Sequence, residues 1–179
     1  MTLYFVRHGE TEYNRHHQLM GQRIDASLDS TGRQQAHQVI PKIPKDFTII
    51  YSSPLKRAAE TAKIIADFFN KNIEIRQELK ERDFGKLSGM NWHEIDSIAG
   101  EALSEQDENL TYDYTKFHGE SVEQVRARLQ KFLDEVRVKH DKDHVVVVTH
   151  YGIINLMNTM YPHKEHHKLS NSSVHKFEI

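Results

Sequence analysis

The chain has 179 residues, of which 37% are hydrophobic and 28% charged, with a formal net charge of -2 and no cysteine. That length and balance fit one domain able to bury its apolar surface without metals or disulfides, and zero cysteines exclude disulfide frameworks, thiolate zinc sites and cysteine nucleophiles. The near-neutral charge gives no general attraction to nucleic acid or to an anionic membrane; with no basic leader and no apolar run of membrane-spanning length, the expected setting is the cytoplasm.

Strand-like and helix-like segments alternate along the chain. Residues 3–6 (Leu3-Tyr4-Phe5-Val6) form a short apolar run that leads directly into Arg7-His8-Gly9-Glu10. A helix is predicted over 31–39, a second strand over 47–51 and a helix over 54–69. Ser53 before Pro54 has the pattern of a capping hydroxyl followed by proline at the first helical position. A weak third strand at 73–75 precedes a carboxylate cluster from Glu78 to Asp83, and a helix follows over 91–98. Residues 101–114 are acidic and weakly periodic, so they read as an excursion between helices, and 91–117 is expected to form a lid-like segment. Ser121 and Gln124 make a capping box for a long helix over 121–139, whose stripe of Val125, Leu129, Phe132 and Val136 is expected to wall the core. A fourth strand at 145–148, a helix at 153–160 and a last strand at 174–179 complete the pattern. Near-continuous apolar strands imply burial on both faces. The expected fold is α/β, a three-layer α/β/α sandwich with a mainly parallel central sheet, in a single domain over 1–179.

In such a sheet ligands sit beyond the carboxyl ends of the parallel strands. The first strand delivers Arg7 and His8 there. The second delivers Ser52-Ser53-Pro54, with Arg57 in the first turn of the next helix, where the helix dipole also favours an anion. The fourth delivers Thr149-His150-Tyr151-Gly152. Neutral imidazole attacks phosphorus and leaves again, dividing one difficult displacement into two easier ones. Guanidinium is always charged and its planar fork matches phosphate oxygens, while glycine beside the histidine lets a ligand approach the backbone. Alone, Arg57 would be an exposed helix residue and His150 a polar strand end. Converging on one sheet edge with Arg7 and His8, they describe a phosphate pocket suited to phosphoryl transfer.

These motifs, in this order and spacing, resemble those of the histidine phosphatase superfamily, the group that includes the cofactor-dependent phosphoglycerate mutases. The matching pieces are Tyr4-Phe5-Val6-Arg7-His8-Gly9-Glu10-Thr11 with Asn14, Tyr51-Ser52-Ser53-Pro54-Leu55-Lys56-Arg57-Ala58-Ala59-Glu60-Thr61-Ala62, Leu79-Lys80-Glu81-Arg82-Asp83-Phe84-Gly85-Lys86-Leu87-Ser88-Gly89, His118-Gly119-Glu120-Ser121 and Val147-Val148-Thr149-His150, and they cover almost the whole length. The resemblance implies a phosphoglycerate mutase-like fold and a metal-independent, cofactor-free reaction. It implies that His8 becomes phosphohistidine, that Arg7, Arg57 and His150 hold the phosphoryl oxygens, that Asn14 adds a hydrogen bond, and that Glu81 donates the proton to the leaving oxygen and later activates water. A carboxyl beside a bound phosphate anion holds its proton more tightly, which suits that role. Glu10, Glu78, Asp83 and Glu120 are rival carboxylates.

The chain departs from the family pattern near the pocket entrance. Where many relatives have Arg-x-Gln-Gly after the asparagine, this chain has Gln18-Leu19-Met20-Gly21, with Arg15, Arg23 and Arg82 as candidates to replace the lost charge. The usual glycine after the second histidine is Tyr151, expected to narrow the site or to offer substrate a stacking surface. The chain is also shorter than the phosphoglycerate mutases between Glu81 and Ser121, and a mutase must hold its phosphorylated intermediate while excluding water. The expected function is a metal-independent phosphatase that hydrolyses a phosphomonoester of a small metabolite. The alternatives are a cofactor-dependent phosphoglycerate mutase and a non-catalytic module that binds phosphorylated ligands. Expected partners are a small phosphorylated substrate, no nucleic acid and no membrane, with the chain a monomer or homodimer. His16-His17 and His163, His166 and His167 lack the motif of a zinc hydrolase and read as solvated surface, while Trp92, Tyr112, Tyr114 and Phe117 read as core.

Overall fold

Because the principal strands are apolar on both sides of the pleat, each needs a cover on either face, and period-two alternation decides which residue meets which cover. In the computed structural model, which describes residues 1–100, 102–162 and 169–179, the strands are β1 (Thr2–Arg7), β2 (Ile49–Ser52), β3 (Ile73–Ile75), β4 (His144–Thr149) and β5 (Val174–Glu178). They form one sheet in the order β3-β2-β4-β1-β5, parallel throughout except for β5, which runs antiparallel to β1. The helices are α1 (Glu12–Arg15), α2 (Ser30–Gln38), α3 (Lys56–Phe69), α4 (Trp92–Ala99), α5 (Ala102–Glu108), α6 (Val122–Lys139) and α7 (Tyr151–Met160).

The alternation builds two apolar layers. Leu3, Phe5, Tyr51, Val145, Val147 and Phe177 share one layer with Val125, Leu129, Phe132 and Val136 of α6 and with Ile153, Ile154 and Met157 of α7. Val6, Ile50, Val146 and Val148 share the other with Ala58, Ala62, Ile65 and Ala66 of α3 and with Val39 and Phe47. Each fully buried Val, Leu, Ile or Phe contributes roughly 1.5–3 kcal/mol of transfer free energy, so these layers dominate the stability of the fold. The observed architecture is the expected three-layer α/β sandwich.

Local signals succeeded where they acted alone. The capping box of α6 forms, with the Gln124 N–H donating to Ser121 Oγ at 3.4 Å and the Ser121 N–H donating to Gln124 Oε1 at 2.9 Å. The Ser53–Pro54 cap does not form. The helix begins two residues later, at Lys56, with Leu55 at the N-cap. Ser53 Oγ has other partners: it accepts from the Leu55 N–H at 3.3 Å and lies 2.8 Å from His150 Nε2.

The expected excursion at 101–114 contains the short helix α5. Leu103 joins the core, and Asp107, also buried, lies 2.5 Å from Arg82 Nη2 and accepts from the Tyr114 hydroxyl at 2.6 Å. A helix anchored by a buried ion pair carries little hydrophobic periodicity, so no helical signal is legible in that stretch. Tyr112 and Tyr114 are buried core, stacked with ring centroids 5.0 Å apart. Trp92 is half-buried: it packs against this core, edge-on to Phe84, and its open side lines a cavity at the carboxyl ends of the strands.

The loop after β1 is fixed by backbone-to-backbone packing against α2. A Cβ on Gly32 would lie 2.1 Å from the Glu10 carbonyl oxygen, and one on Gly9 would lie 2.3 Å from the Gly32 carbonyl oxygen. Gly32→Ala is therefore expected to lower stability by about 1–3 kcal/mol, as overpacking does. Urea unfolding should show a lower midpoint at unchanged slope; an unaltered midpoint would contradict the close approach.

Candidate active site

Parallel pairing of β1 with β4 sets Arg7 opposite Thr149. The next residues, His8 and His150, are thereby side by side, with ring centroids 5.1 Å apart and 3% and 0% exposure. The His8 N–H donates to the Thr149 carbonyl at 3.0 Å, which extends the ladder one residue past the end of β1.

Hydrogen bonding fixes the tautomer of His8. Nδ1 lies 2.7 Å from the Gly9 carbonyl oxygen; that oxygen only accepts, so Nδ1 carries the hydrogen and Nε2 carries the lone pair. Burial, reinforced by the positive charges of Arg57 and Arg7, pushes the imidazole well below its ordinary pKa. Burial, then Arg57 and His8, does the same to His150. Both rings are neutral at neutral pH, as a nitrogen nucleophile requires.

Two arginines flank the pair, Arg57 buried and Arg7 half-buried. Arg57, in the first turn of α3, donates to the Gly21 carbonyl at 2.8 Å and the Ile24 carbonyl at 3.1 Å, and its pKa is pulled down to about 10 by burial. Arg7 donates to the Leu169 carbonyl at 2.5 Å, and its guanidinium lies 5.4 Å from the centre of the Tyr151 ring. Arg7 Nε, Arg57 Nε and His150 Nδ1 are buried without a hydrogen-bond partner among the described residues.

These groups meet a cavity of about 480 Å3 whose lining includes Arg7, His8, Asn14, Arg57, Glu81 and Tyr151 together with Leu19, Met20, Phe84 and Trp92. His150 is fully buried and does not line it; it reaches the site through His8 and Ser53. Tyr151 is 38% exposed at the start of α7, beside Arg7. Glu81 accepts from the Arg82 N–H at 2.9 Å and from the Gly152 N–H at 3.1 Å. A Cβ on residue 152 would lie 2.4 Å from Glu81 Oε1, so glycine there leaves room for the carboxylate.

Three of the rival carboxylates are engaged elsewhere: Glu78 pairs with Arg76, Asp83 with Arg23, and Glu120 with Arg128. Glu10 lines an adjoining cavity that shares Arg7, Asn14 and Tyr151 with this one. Of the three arginines considered as replacements for the family's lost cation, Arg15 pairs with Glu12 on the surface and Arg23 with Asp83. Arg82 does line the cavity, but its charge is matched by Asp107 at 2.5 Å and Glu81 at 3.6 Å. Asp96, Asp107 and Glu108 also line the cavity, so α4 and α5 supply an acidic part of its wall.

Sequence reasoning missed Ser53 as a partner of His150, and Thr61, whose Oγ accepts from the Gly9 N–H at 3.1 Å and donates to the Arg57 carbonyl at 2.8 Å. It also missed Asn171, described below. Ser53 and Thr61 lie within recognised motifs, but their side chains are assigned partners only by the approach of other elements. His16 and His17 are exposed, while His163, His166 and His167 lie outside the described residues. Among the described residues no three His, Asp or Glu side chains are grouped as metal ligands, and no helix is long and apolar enough to cross a membrane.

Fold and site together define an α/β protein with a buried histidine pair between two arginines at the carboxyl ends of its parallel strands. A family model for the histidine phosphatase superfamily (branch 1) matches residues 3–179, and the chain belongs to that superfamily. It is 36% identical over 179 residues to phosphoglycerate mutase-like protein 4 of Arabidopsis thaliana, covering 97% of this chain and 77% of that one. It is 36% identical over 153 residues to a metal-independent phosphoserine phosphatase of the same plant, covering 83% of this chain and 63% of that protein, so it spans less than two thirds of that relative. The solved structure of a mycobacterial glucosyl-3-phosphoglycerate phosphatase superposes with a TM-score of 0.79 at 28% identity, over 89% of this chain and 81% of that one.

The two buried imidazoles link folding to pH. Their folded pKa values lie below the unfolded value near ~6.5, so on acidification the unfolded chain takes up protons that the folded one refuses. Their contribution is fully present above that pH and is lost as pH falls toward the folded values, at up to about 1.4 kcal/mol per pH unit for each proton. Urea unfolding between pH 7.5 and 5.5 is expected to show falling stability, with a shallower slope in His150→Gln. Equal slopes in the two proteins would refute the burial argument.

Proposed function

We propose that the chain is a metal-independent phosphatase acting on phosphomonoesters of small metabolites through a phosphohistidine at His8. The observation that carries this reading is the neutral, buried His8 whose Nδ1–H is fixed on the Gly9 carbonyl, with Arg7 and Arg57 beside it. Nε2 attacks phosphorus; the P–N bond forms as the P–O bond to the alcohol breaks. Arg7, Arg57 and Asn14, with His150 behind them, hold the phosphoryl oxygens, and their charge is already in place when negative charge moves onto the transferring group. Glu81 gives its proton to the leaving oxygen, then takes one from the water that attacks phosphohistidine, which releases phosphate and restores His8.

The phosphatase names of related proteins support this reading over the mutase alternative. So does the charge of the cavity wall: among the described residues Arg15 and Arg23 are paired elsewhere, and Arg82 is matched by Asp107 and Glu81, so a second phosphoryl group finds no further unpaired arginine of that set. We take the catalytic unit to be a single domain over 1–179, with the segment 91–117 acting as the lid that contacts the leaving alcohol.

Phosphate release from a panel of phosphomonoesters is expected in the presence of EDTA and is expected to fall at least about 10³-fold in His8→Ala. Release that needs added metal, or that survives in His8→Ala, would remove the histidine mechanism. Interconversion of phosphoglycerates with a bisphosphorylated primer, without phosphate release, would establish the mutase instead. Glu81→Gln should cost about 10²–10⁴-fold with alkyl phosphates and far less with p-nitrophenyl phosphate, whose leaving group needs no proton. An equal loss on both substrates would remove Glu81 from the acid role.

A further inference from the structure

We propose that Asn171, anchored on the His8 carbonyl, is a positioning residue for the phosphate site that acts by fixing the amide orientation of Asn14. The inference rests on the phosphatase reading above. Asn171 lies in the turn before β5, far from either partner in sequence. The antiparallel return of β5, with Val174 opposite Val6, brings that turn back to the carboxyl end of β1.

The Asn171 side-chain NH2 donates to the His8 carbonyl at 3.2 Å and to Asn14 Oδ1 at 3.3 Å. Both amide orientations are dictated by groups that have no choice of role. The His8 carbonyl only accepts, so Asn171 must turn its nitrogen toward it. The Thr11 backbone N–H only donates, and it meets Asn14 Oδ1 at 3.2 Å, so Asn14 must turn its oxygen that way. The two hydrogens of the Asn171 amide are thus matched to two acceptors. The Asn14 oxygen is taken up by Thr11 and Asn171, which leaves the Asn14 NH2 as its polar group for the cavity it lines with Arg7 and His8.

An asparagine held this way donates to a phosphoryl oxygen. The flipped amide would set its carbonyl against the anion. Asn171 supplies part of that constraint, and its neighbours extend it. The Ser172 N–H also donates to the His8 carbonyl at 3.2 Å, and the Leu169 carbonyl accepts from Arg7 Nη1. One turn of the chain therefore holds the arginine, the nucleophile's backbone and the asparagine in a single arrangement. Pre-set geometry of this kind matters because misplacement by about 1 Å costs on the order of 10²-fold in rate.

The test is a double-mutant cycle on Asn171→Ala and Asn14→Ala, read in two ways: kcat/KM for phosphate release, and the affinity for inorganic phosphate by calorimetry. Each single variant is expected to lose about 10-fold in kcat/KM, as loss of a hydrogen bond to a charged group does. The double variant is expected to stay close to the single ones, because Asn171 acts through Asn14. Phosphate affinity should show the same non-additive pattern. A product of about 100-fold, or an Asn171→Ala enzyme within twofold of the parent, would overturn the proposal. Asn171→Asp, which has the same size but faces two oxygens with a carboxylate, gives the same reading if the alanine variant does not fold. If the parent protein releases no phosphate from any ester, the phosphatase reading fails, and the affinity cycle still decides the role of Asn171.

Discussion

The register between β1 and β4 is the constraint on which the rest of the structure depends. Arg7 opposite Thr149 makes His8 and His150 neighbours, and parallel pairing makes both strands end on the same edge of the sheet. A slip of β1 by one residue against β4 would turn Leu3 and Phe5 away from the layer shared with α6 and α7 and move Tyr4 and Val6 into it, so the apolar pattern holds the register and the register holds the site. The energy that fixes the catalytic geometry is therefore largely hydrophobic and lies beneath the pocket.

Positive charge is buried at that edge on purpose. Arg57 is 1% exposed and has carbonyls, not a carboxylate, as its hydrogen-bond partners; Arg7 is held by the Leu169 carbonyl. Carbonyl oxygens satisfy some of the guanidinium hydrogens without cancelling the charge. Burial first, and then that charge, lowers the pKa of both imidazoles and favours the unprotonated ring of His8. A burial that is unfavourable for an isolated cation becomes useful where the ligand is an anion.

The wall contributed by α4 and α5 is built on different terms. Arg82 leaves the Glu81 side of the cavity and reaches Asp107, while its guanidinium lies 4.9 Å from the Phe84 ring centre and 5.4 Å from that of Tyr112. A buried pair of this kind gives little net stability but is costly to break on one side. It ties α5 to the residue next to Glu81, so the outer wall and the Glu81 carboxylate share one anchor.

Local signals were enough to read the strands, the two long helices and the places of Arg7, His8, Arg57 and His150. Strand signals are local, and Arg7, His8, Arg57 and His150 each sit one or two positions from a strand or helix end, so their place followed from the elements. The capping box at Ser121 was legible for the same reason. Contacts that need two distant segments to meet were set by packing. Ser53 gave up its expected role as a helix cap because His150 approaches it from β4. The helix α5 exists in an acidic stretch because Asp107 finds Arg82 and Tyr114. Asn171 reaches the site because β5 reverses direction beside β1. Periodicity and capping are read over a few residues, whereas a hydrogen-bond partner is chosen by packing, and packing is a property of the whole chain.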